Sequence, residues 1–177
     1  VSVLAGGIGT WETAGFRIYS GVHVPSKAFA EVVEHQAGTP WITAEQLKAL
    51  IDAKADIALF DSRSYEEYHE NSIPTAINVP GAELVYRFAD MVPSPETTVI
   101  VNCGGRTRSI IGAQSLINAG VPNKIVSLKN GTQAWHLAGF QVLKGSAARP
   151  PTVSAAGHPA GRAAGRRVAQ GVGVGGG

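Results

Sequence analysis

The residues with the clearest chemical potential lie around the chain's single cysteine, Cys103, in the segment NCGGRTRS at positions 102 to 109. An apolar run at residues 98 to 101 precedes this segment, and a helical pattern follows it. The order predicts a strand, a glycine-rich loop and a helix, an arrangement that turns unpaired N–H groups and the helix dipole toward the thiol. Together with the two loop arginines, this environment favours the reactive thiolate. We therefore expect Cys103 to be a nucleophile rather than a small buried hydrophobe.

Composition limits the classes of protein to consider. The 177 residues are 44% hydrophobic and 16% charged, which is typical of globular chains. Four arginines and no acidic residue fall in residues 146–177, so the rest holds 11 basic and 13 acidic residues and is mildly acidic. No basic stripe interleaved with aromatic residues is present, which argues against nucleic-acid binding. No apolar run is long enough to span a membrane.

The lone cysteine and the start of the chain carry further expectations. One cysteine cannot form an intrachain disulfide, and this favours a reducing, cytoplasmic location. The chain begins with Val1, without an initiator Met or a signal-peptide pattern, and is expected to be a piece of a longer protein. No cluster of residues suggests a metal or another cofactor, and none is expected.

An internal repeat organises the ends of the chain. Residues 1–16 align on residues 125–140 with a constant offset, and six pairs are identical: Leu4/Leu128, Gly7/Gly131, Trp11/Trp135, Ala14/Ala138, Gly15/Gly139 and Phe16/Phe140. Each copy predicts a short strand, a glycine turn and a helix with an inward Trp. We therefore divide the chain into a C-terminal piece of a preceding domain (1–24), a helical linker capped by Ser26 (25–40), a complete domain (41–145) and a Gly/Ala/Arg-rich linker or tail (146–177).

Within residues 41–145, short apolar strands alternate with helices. Strands are predicted at 57–61, 76–79, 98–102 and 124–128, and capping boxes at Thr43 and Ser64 mark two helix starts. This alternation predicts an α/β fold, a parallel sheet covered by helices on both faces. Ligands of such sheets bind beyond the carboxyl ends of the strands, where Asp61, Asn78 and Cys103 are all expected.

These residues together resemble the rhodanese domain of the sulfurtransferases. Asp61-Ser62-Arg63, Glu67-Tyr68 and the stretch from Ile73 to Pro80 are similar to the family's D-x-R and E-[FY]-x-x-G-H-I-P-G-A-x-x-[IV]-P patterns. Residues 103 to 109 match the C-x-x-x-x-R-S active loop, and Gly131 with Trp135 matches G-x-x-x-W. Three positions depart from the family pattern: Asn71, Ser72 and Thr75 stand where Gly, His and Gly are usual.

The resemblance implies a sheet of about five strands and a two-step covalent reaction. Cys103 would take the sulfane sulfur of thiosulfate or a similar small anionic donor as a persulfide, and cyanide or a thiol would accept it. The amides of residues 104 to 109 would hold the anions, Arg106 and Arg108 would orient the donor, and Arg87 and Asp61 would add contacts at the edge. The proposed substrate-binding set is Gly104, Gly105, Arg106, Thr107, Arg108, Ser109, Arg87 and Asp61. Neighbouring rhodanese domains of the same parent chain are the expected protein partners. Arg63 is expected to pair with Glu67.

Three alternatives remain beside this interpretation. Cysteine phosphatases also use a thiolate in an anion cradle, but their C-x5-R signature needs Arg where Ser109 stands. The domain could instead carry persulfide or dock in a multidomain protein without turnover. A cysteine protease would need a His/Asn partner set that is not evident.

Overall fold

The computed structural model of the protein describes residues 5–16 and 24–171. Its helices are α1 (Gly7–Thr13), α2 (Val24–Ala37), α3 (Ala44–Asp52), α4 (Tyr65–Glu70), α5 (Leu84–Met91), α6 (Thr107–Asn118), α7 (Gly131–Leu137) and α8 (Gly157–Gly171), with a 3₁₀ turn at Gly81–Glu83. Its strands are β1 (Trp41–Ile42), β2 (Ile57–Asp61), β3 (Ile77–Asn78), β4 (Thr98–Asn102) and β5 (Ile125–Leu128).

The strands form one parallel sheet in the order β1-β5-β4-β2-β3. Asp61 is in register with Asn78 on one side and with Asn102 on the other. The carboxyl ends of these three neighbouring strands are therefore level, and Cys103 follows β4, the central strand of the five-stranded sheet. The predicted α/β fold with a five-stranded parallel sheet is confirmed.

Two apolar layers cover the sheet. One contains Leu47, Tyr68 and Trp135, which come from α3, α4 and α7. The other is built on residues of α5 and α6, including Phe88 and Leu116. Helices on both faces explain why β4 and β5 are almost continuously apolar.

Local signals fix the ends of the helices. The capping boxes of Thr43 with Gln46 and Ser64 with Glu67 are both formed. The helix predicted from Gly81 begins as a 3₁₀ turn and continues as α5, and the helix predicted from Ser109 begins two residues earlier, at Thr107. Thr75, which replaces a family glycine, has φ 72°, a left-handed conformation that costs a β-branched residue energy.

The repeat is visible in the backbone. Gly6 and Asn130, at corresponding positions before their helices, both have left-handed backbone conformations. Gly15 and Gly139 both have φ 79°. The ring centroids of Trp11 and Phe16 lie 4.5 Å apart, and those of Trp135 and Phe140 lie 4.9 Å apart. The prediction that each copy buries its Trp is confirmed for Trp135, which is buried, and is wrong for Trp11, which is 43% exposed. The strand predicted at the start of the chain, residues 17–23 and residues 172–177 lie outside the described residues.

The segments flanking residues 41–145 pack on the domain. The helix predicted after residue 25 is α2, which begins at Val24, so Ser26 lies in its first turn instead of capping it, and it packs against α6. The tail, expected to be too poor in apolar residues to order alone, forms α8 against α5. A Cβ on Gly161 would come within 2.5 Å of the Tyr86 carbonyl oxygen, so the absent side chain permits this close approach. Across the described residues, no helix has the length and apolar character needed to cross a membrane.

Candidate active site

Cys103 lies directly beyond β4, in a loop that leads into α6. Its side chain is 2% exposed and borders a cavity of about 740 Å³. The loop supplies most of the cavity wall, and α2, α4 and α7 supply the rest. The lining residues are Ser26, Lys27, Glu67, Cys103, Gly104, Gly105, Arg106, Thr107, Arg108 and Gln133.

The peptide groups of the loop are oriented by α7. The carbonyl oxygen of Cys103 accepts a hydrogen bond from the Thr132 N–H at 2.8 Å, and that of Gly104 accepts one from the Gln133 N–H at 3.1 Å. Among the described residues, no acceptor binds the N–H groups of residues 104 to 109, and no side chain caps α6. The loop therefore keeps a set of free donors beside the cavity, as expected for an anion cradle.

Gly131 permits the close contact between this loop and α7. It has φ 57°, and a Cβ placed on it would lie 2.1 Å from the carbonyl oxygen of Cys103 and 2.8 Å from that of Gly105. A side chain at this position would displace the loop. The glycine of the predicted G-x-x-x-W element is thus explained by the approach of two backbones.

Ser109 places a hydroxyl beside the sulfur of Cys103. Its Oγ lies 3.5 Å from Cys103 Sγ and donates to the Arg106 carbonyl oxygen at 2.9 Å. The side chain is fully buried. Rotation of the hydroxyl about the Cβ–Oγ bond would let it donate to the sulfur when the sulfur is anionic.

Asp61 is not part of the cavity wall; it supports the loop from below. The carboxylate is fully buried and binds Arg63 through Nε at 2.9 Å and Nη2 at 2.8 Å. Asn102 Nδ2 donates to Asp61 at 3.1 Å and to Thr132 at 3.0 Å, which links the pair to α7. The expected partnership of Arg63 with Glu67 is wrong, because Arg63 is taken up by Asp61 and by Asn71.

Glu67 instead binds Arg108. Two hydrogen bonds, at 2.6 and 2.8 Å, join the guanidinium to the carboxylate. The hydrogen bond from Arg108 lowers the pKa of Glu67 to about 2. The predicted donor-orienting Arg108 does line the cavity, but a carboxylate neutralises most of its charge there.

This pair predicts a pH-dependent contribution to stability. Folding lowers the pKa of Glu67 from about 4.5 to about 2, so the contribution is present above pH 4.5 and is lost as the pH falls toward 2. Both side chains are more than 40% exposed, which limits the effect. We expect Glu67→Gln, which keeps a capping acceptor, to lower the free energy of unfolding by about 0.2–1 kcal/mol at pH 7 and by almost nothing near pH 2.

Urea unfolding of both proteins at the two pH values measures this difference. Glu70→Gln is the matched control, since Glu70 lies on the same helix and has no ion pair among the described residues. A loss for Glu67→Gln that persists unchanged at low pH would contradict the assignment.

Arg106 is also paired, and its partners come from α2. Its guanidinium binds Glu34 and lies 3.9 Å from Glu31. Neither acid was predicted from the sequence, although both lie on the face of α2 that carries buried Ala30. Both loop arginines thus border the cavity with carboxylates already bound to them.

The structure does not bring Arg87 to the cavity. It lies on α5, where it binds Glu83 and the Pro151 carbonyl oxygen, the latter at 3.2 Å. Of the nine predicted site residues, six line the cavity: Cys103, Gly104, Gly105, Arg106, Thr107 and Arg108. Ser109 contacts the sulfur from beneath, and Asp61 and Arg87 lie elsewhere. Four further residues line it without having been predicted as site residues: Ser26, Lys27, Glu67 and Gln133.

Comparison with known proteins places this geometry in a family. A family model described as rhodanese-like domain matches residues 43–138. A crystal structure of thiosulfate sulfurtransferase from Pseudomonas aeruginosa superposes with a TM-score of 0.85 and 48% identity, over 96% of this chain and 32% of that one. An HTH-type transcriptional regulator of Mycobacterium tuberculosis is 31% identical over 91 residues, which are 51% of this chain and 39% of the regulator. The matched parts thus span 32% and 39% of the lengths of these two longer relatives.

A third similarity bears on the fold alone. A protein of unknown function from Rhodopseudomonas palustris, described as a possible tyrosine phosphatase, superposes with a TM-score of 0.57 at 18% identity. The match covers 72% of this chain and 100% of that one.

Proposed function

The chain belongs to the rhodanese-like domain family, and from this premise we propose that it is a sulfurtransferase that works through a persulfide on Cys103. The observation that carries the proposal is the loop itself. A buried, unpaired cysteine borders a cavity together with a run of backbone N–H groups that no acceptor in the described chain occupies. The 48% identity with a thiosulfate sulfurtransferase supports thiosulfate as the donor.

The reaction needs two displacements. The Cys103 thiolate attacks the outer sulfur of thiosulfate, a bond forms between the two sulfurs, and sulfite leaves with the electron pair of the broken S–S bond. Cyanide or a thiolate then attacks the outer sulfur of the persulfide and restores the Cys103 thiolate. Before and after each displacement, a negative charge lies on the sulfur of Cys103 or on the outer sulfur of its persulfide. Fixed amide donors can therefore stabilise every stage with little reorganisation.

Ser109 supports sulfur transfer over phosphate ester hydrolysis. The phosphatase signature requires an arginine at this position, and here a fully buried serine lies beneath the sulfur. The distant fold similarity to a possible tyrosine phosphatase does not alter this assignment.

A carrier or docking role is the second candidate. A transcriptional regulator matches this chain at 31% identity, so a similar region occurs in a protein named for another activity. A carrier would form the persulfide on Cys103 but would not turn over. The internal repeat further supports neighbouring rhodanese domains in the parent chain as partners.

Intact-mass measurement of the protein incubated with thiosulfate tests the proposal. We expect the mass of one added sulfur atom, its loss after addition of cyanide, and catalytic release of thiocyanate. Adduct without turnover would support the carrier role. Absence of the adduct, or steady hydrolysis of an aryl phosphate, would overturn the sulfurtransferase.

A further inference from the structure

We infer that Lys27 of α2 is the cation that draws the anionic sulfur donor into the cavity of Cys103. This inference rests on the proposed function but assigns a residue outside the family match, which begins at residue 43. It also gives α2, which was predicted from the sequence only as a linker helix, a part in recognition.

The charges at the cavity give the first argument. Arg106 is bound to Glu34, and Arg108 is bound to Glu67. Each of these arginines is therefore paired with a carboxylate, so the net attraction that the two pairs exert on a dianion is small. The donor needs another source of positive potential near the thiolate, because two anions must meet there.

Lys27 supplies that potential. Lys27 lines the cavity of Cys103 and also a smaller adjoining cavity of about 390 Å³, bordered by Gly105 and Thr107. Within residues 5–16 and 24–171, no carboxylate lies at ion-pair distance from its ammonium group. It is thus a cavity cation whose charge is not neutralised by a bound carboxylate.

The packing of α2 fixes Lys27 in this place. Lys27, Ala30, Glu31 and Glu34 recur every three or four residues and share one face of the helix. Ala30 is 1% exposed, and the two glutamates hold Arg106, so this face is turned to the loop. Phe29, on another face, is 58% exposed. One helix therefore binds a loop arginine with its acids and presents its lysine to the cavity.

The test compares Lys27→Gln, Lys27→Arg and the control Lys124→Gln. Lys124 is exposed and lies at the opposite, amino end of β5, so its replacement removes the same charge away from the site. We expect Lys27→Gln to raise the KM for thiosulfate in persulfide formation roughly three- to tenfold with kcat almost unchanged. Lys27→Arg should keep a KM close to that of the wild type. Added salt should reduce the difference in KM between Lys27→Gln and the wild type.

Alkylation of Cys103 separates this inference from the sulfurtransferase proposal. Lys27→Gln should slow the reaction with the anion iodoacetate by a similar factor and leave the reaction with neutral iodoacetamide within about twofold of wild type. This readout needs no sulfur transfer, so it holds even if the protein fails to turn over. Equal slowing of both reagents, or of neither, would overturn the role of Lys27. An effect of the same size in Lys124→Gln would do so as well.

Discussion

Replacing Cys103 with Ser is expected to abolish persulfide formation and to reduce thiocyanate production by on the order of 10⁴-fold or more, the scale on which covalent enzymes lose activity with their nucleophile. The substitution removes the only sulfur nucleophile of the chain. A serine hydroxyl is close to the thiol in size, and it can keep the contact with Ser109. Intact mass after incubation with thiosulfate, together with a cyanide-dependent assay, measures both losses.

Two controls make this result specific. The unfolding midpoint of Cys103→Ser should lie near that of the wild type, because the substitution leaves no cavity and no charge. Lys124→Gln, at the far end of the sheet, should retain full loading. Residual turnover above about one per cent in a correctly folded Cys103→Ser protein would contradict a persulfide on this residue.

Replacing Asp61 with Asn is expected to lower the free energy of unfolding by about 3–5 kcal/mol, the cost of leaving one member of a buried ion pair without its partner. Asp61 is fully buried, and Arg63 is 4% exposed. Three hydrogen bonds from Arg63 reach the carboxylate through Nε and Nη2, and a fourth comes from its backbone N–H. An amide would leave the guanidinium charged inside the protein. This loss is a large part of the stability of an ordinary domain.

Asp52→Asn is the matched control for the ion pair. Asp52 binds Lys48 at 2.6 Å, but its side chain is 59% exposed, so the expected loss is below about 1 kcal/mol. Urea unfolding of the three proteins gives the comparison. If Asp61→Asn lowered the free energy of unfolding no more than Asp52→Asn does, the Asp61–Arg63 pair would not support the loop as its burial indicates.

The sequence was sufficient to predict the order of the elements and the place of Cys103 in a loop between a strand and a helix. Short apolar strands, two capping boxes and a glycine-rich loop are local signals, and each was read from a few adjacent residues. Asp61, Asn78 and Cys103 were predicted to meet because parallel strands end on the same side of the sheet. The register of β2 with β3 and β4 shows that these strand ends are level, but Asp61 and Asn78 do not line the cavity of Cys103.

The charge pattern of the site could not be predicted in the same way. Arg108 and Glu67 are 41 residues apart, and Arg106 and Glu34 are 72 apart. Such pairs depend on how helices pack and on which rotamers the packing allows, and no local pattern encodes either. The misassigned pairing of Arg63 shows the difficulty, since Asp61 and Glu67 were both within reach along the sequence.

The packing of α2 and α8 also determines which segment of the chain would have to be transferred to build the Cys103 site into another protein. A graft limited to residues 43–138 would carry Cys103 but would lack Lys27 and Glu34, which binds Arg106. It would also lack α8, which packs closely on α5 at Gly161. The portable unit for protein engineering is therefore residues 24–171, about half as long again as the stretch by which the domain is recognised.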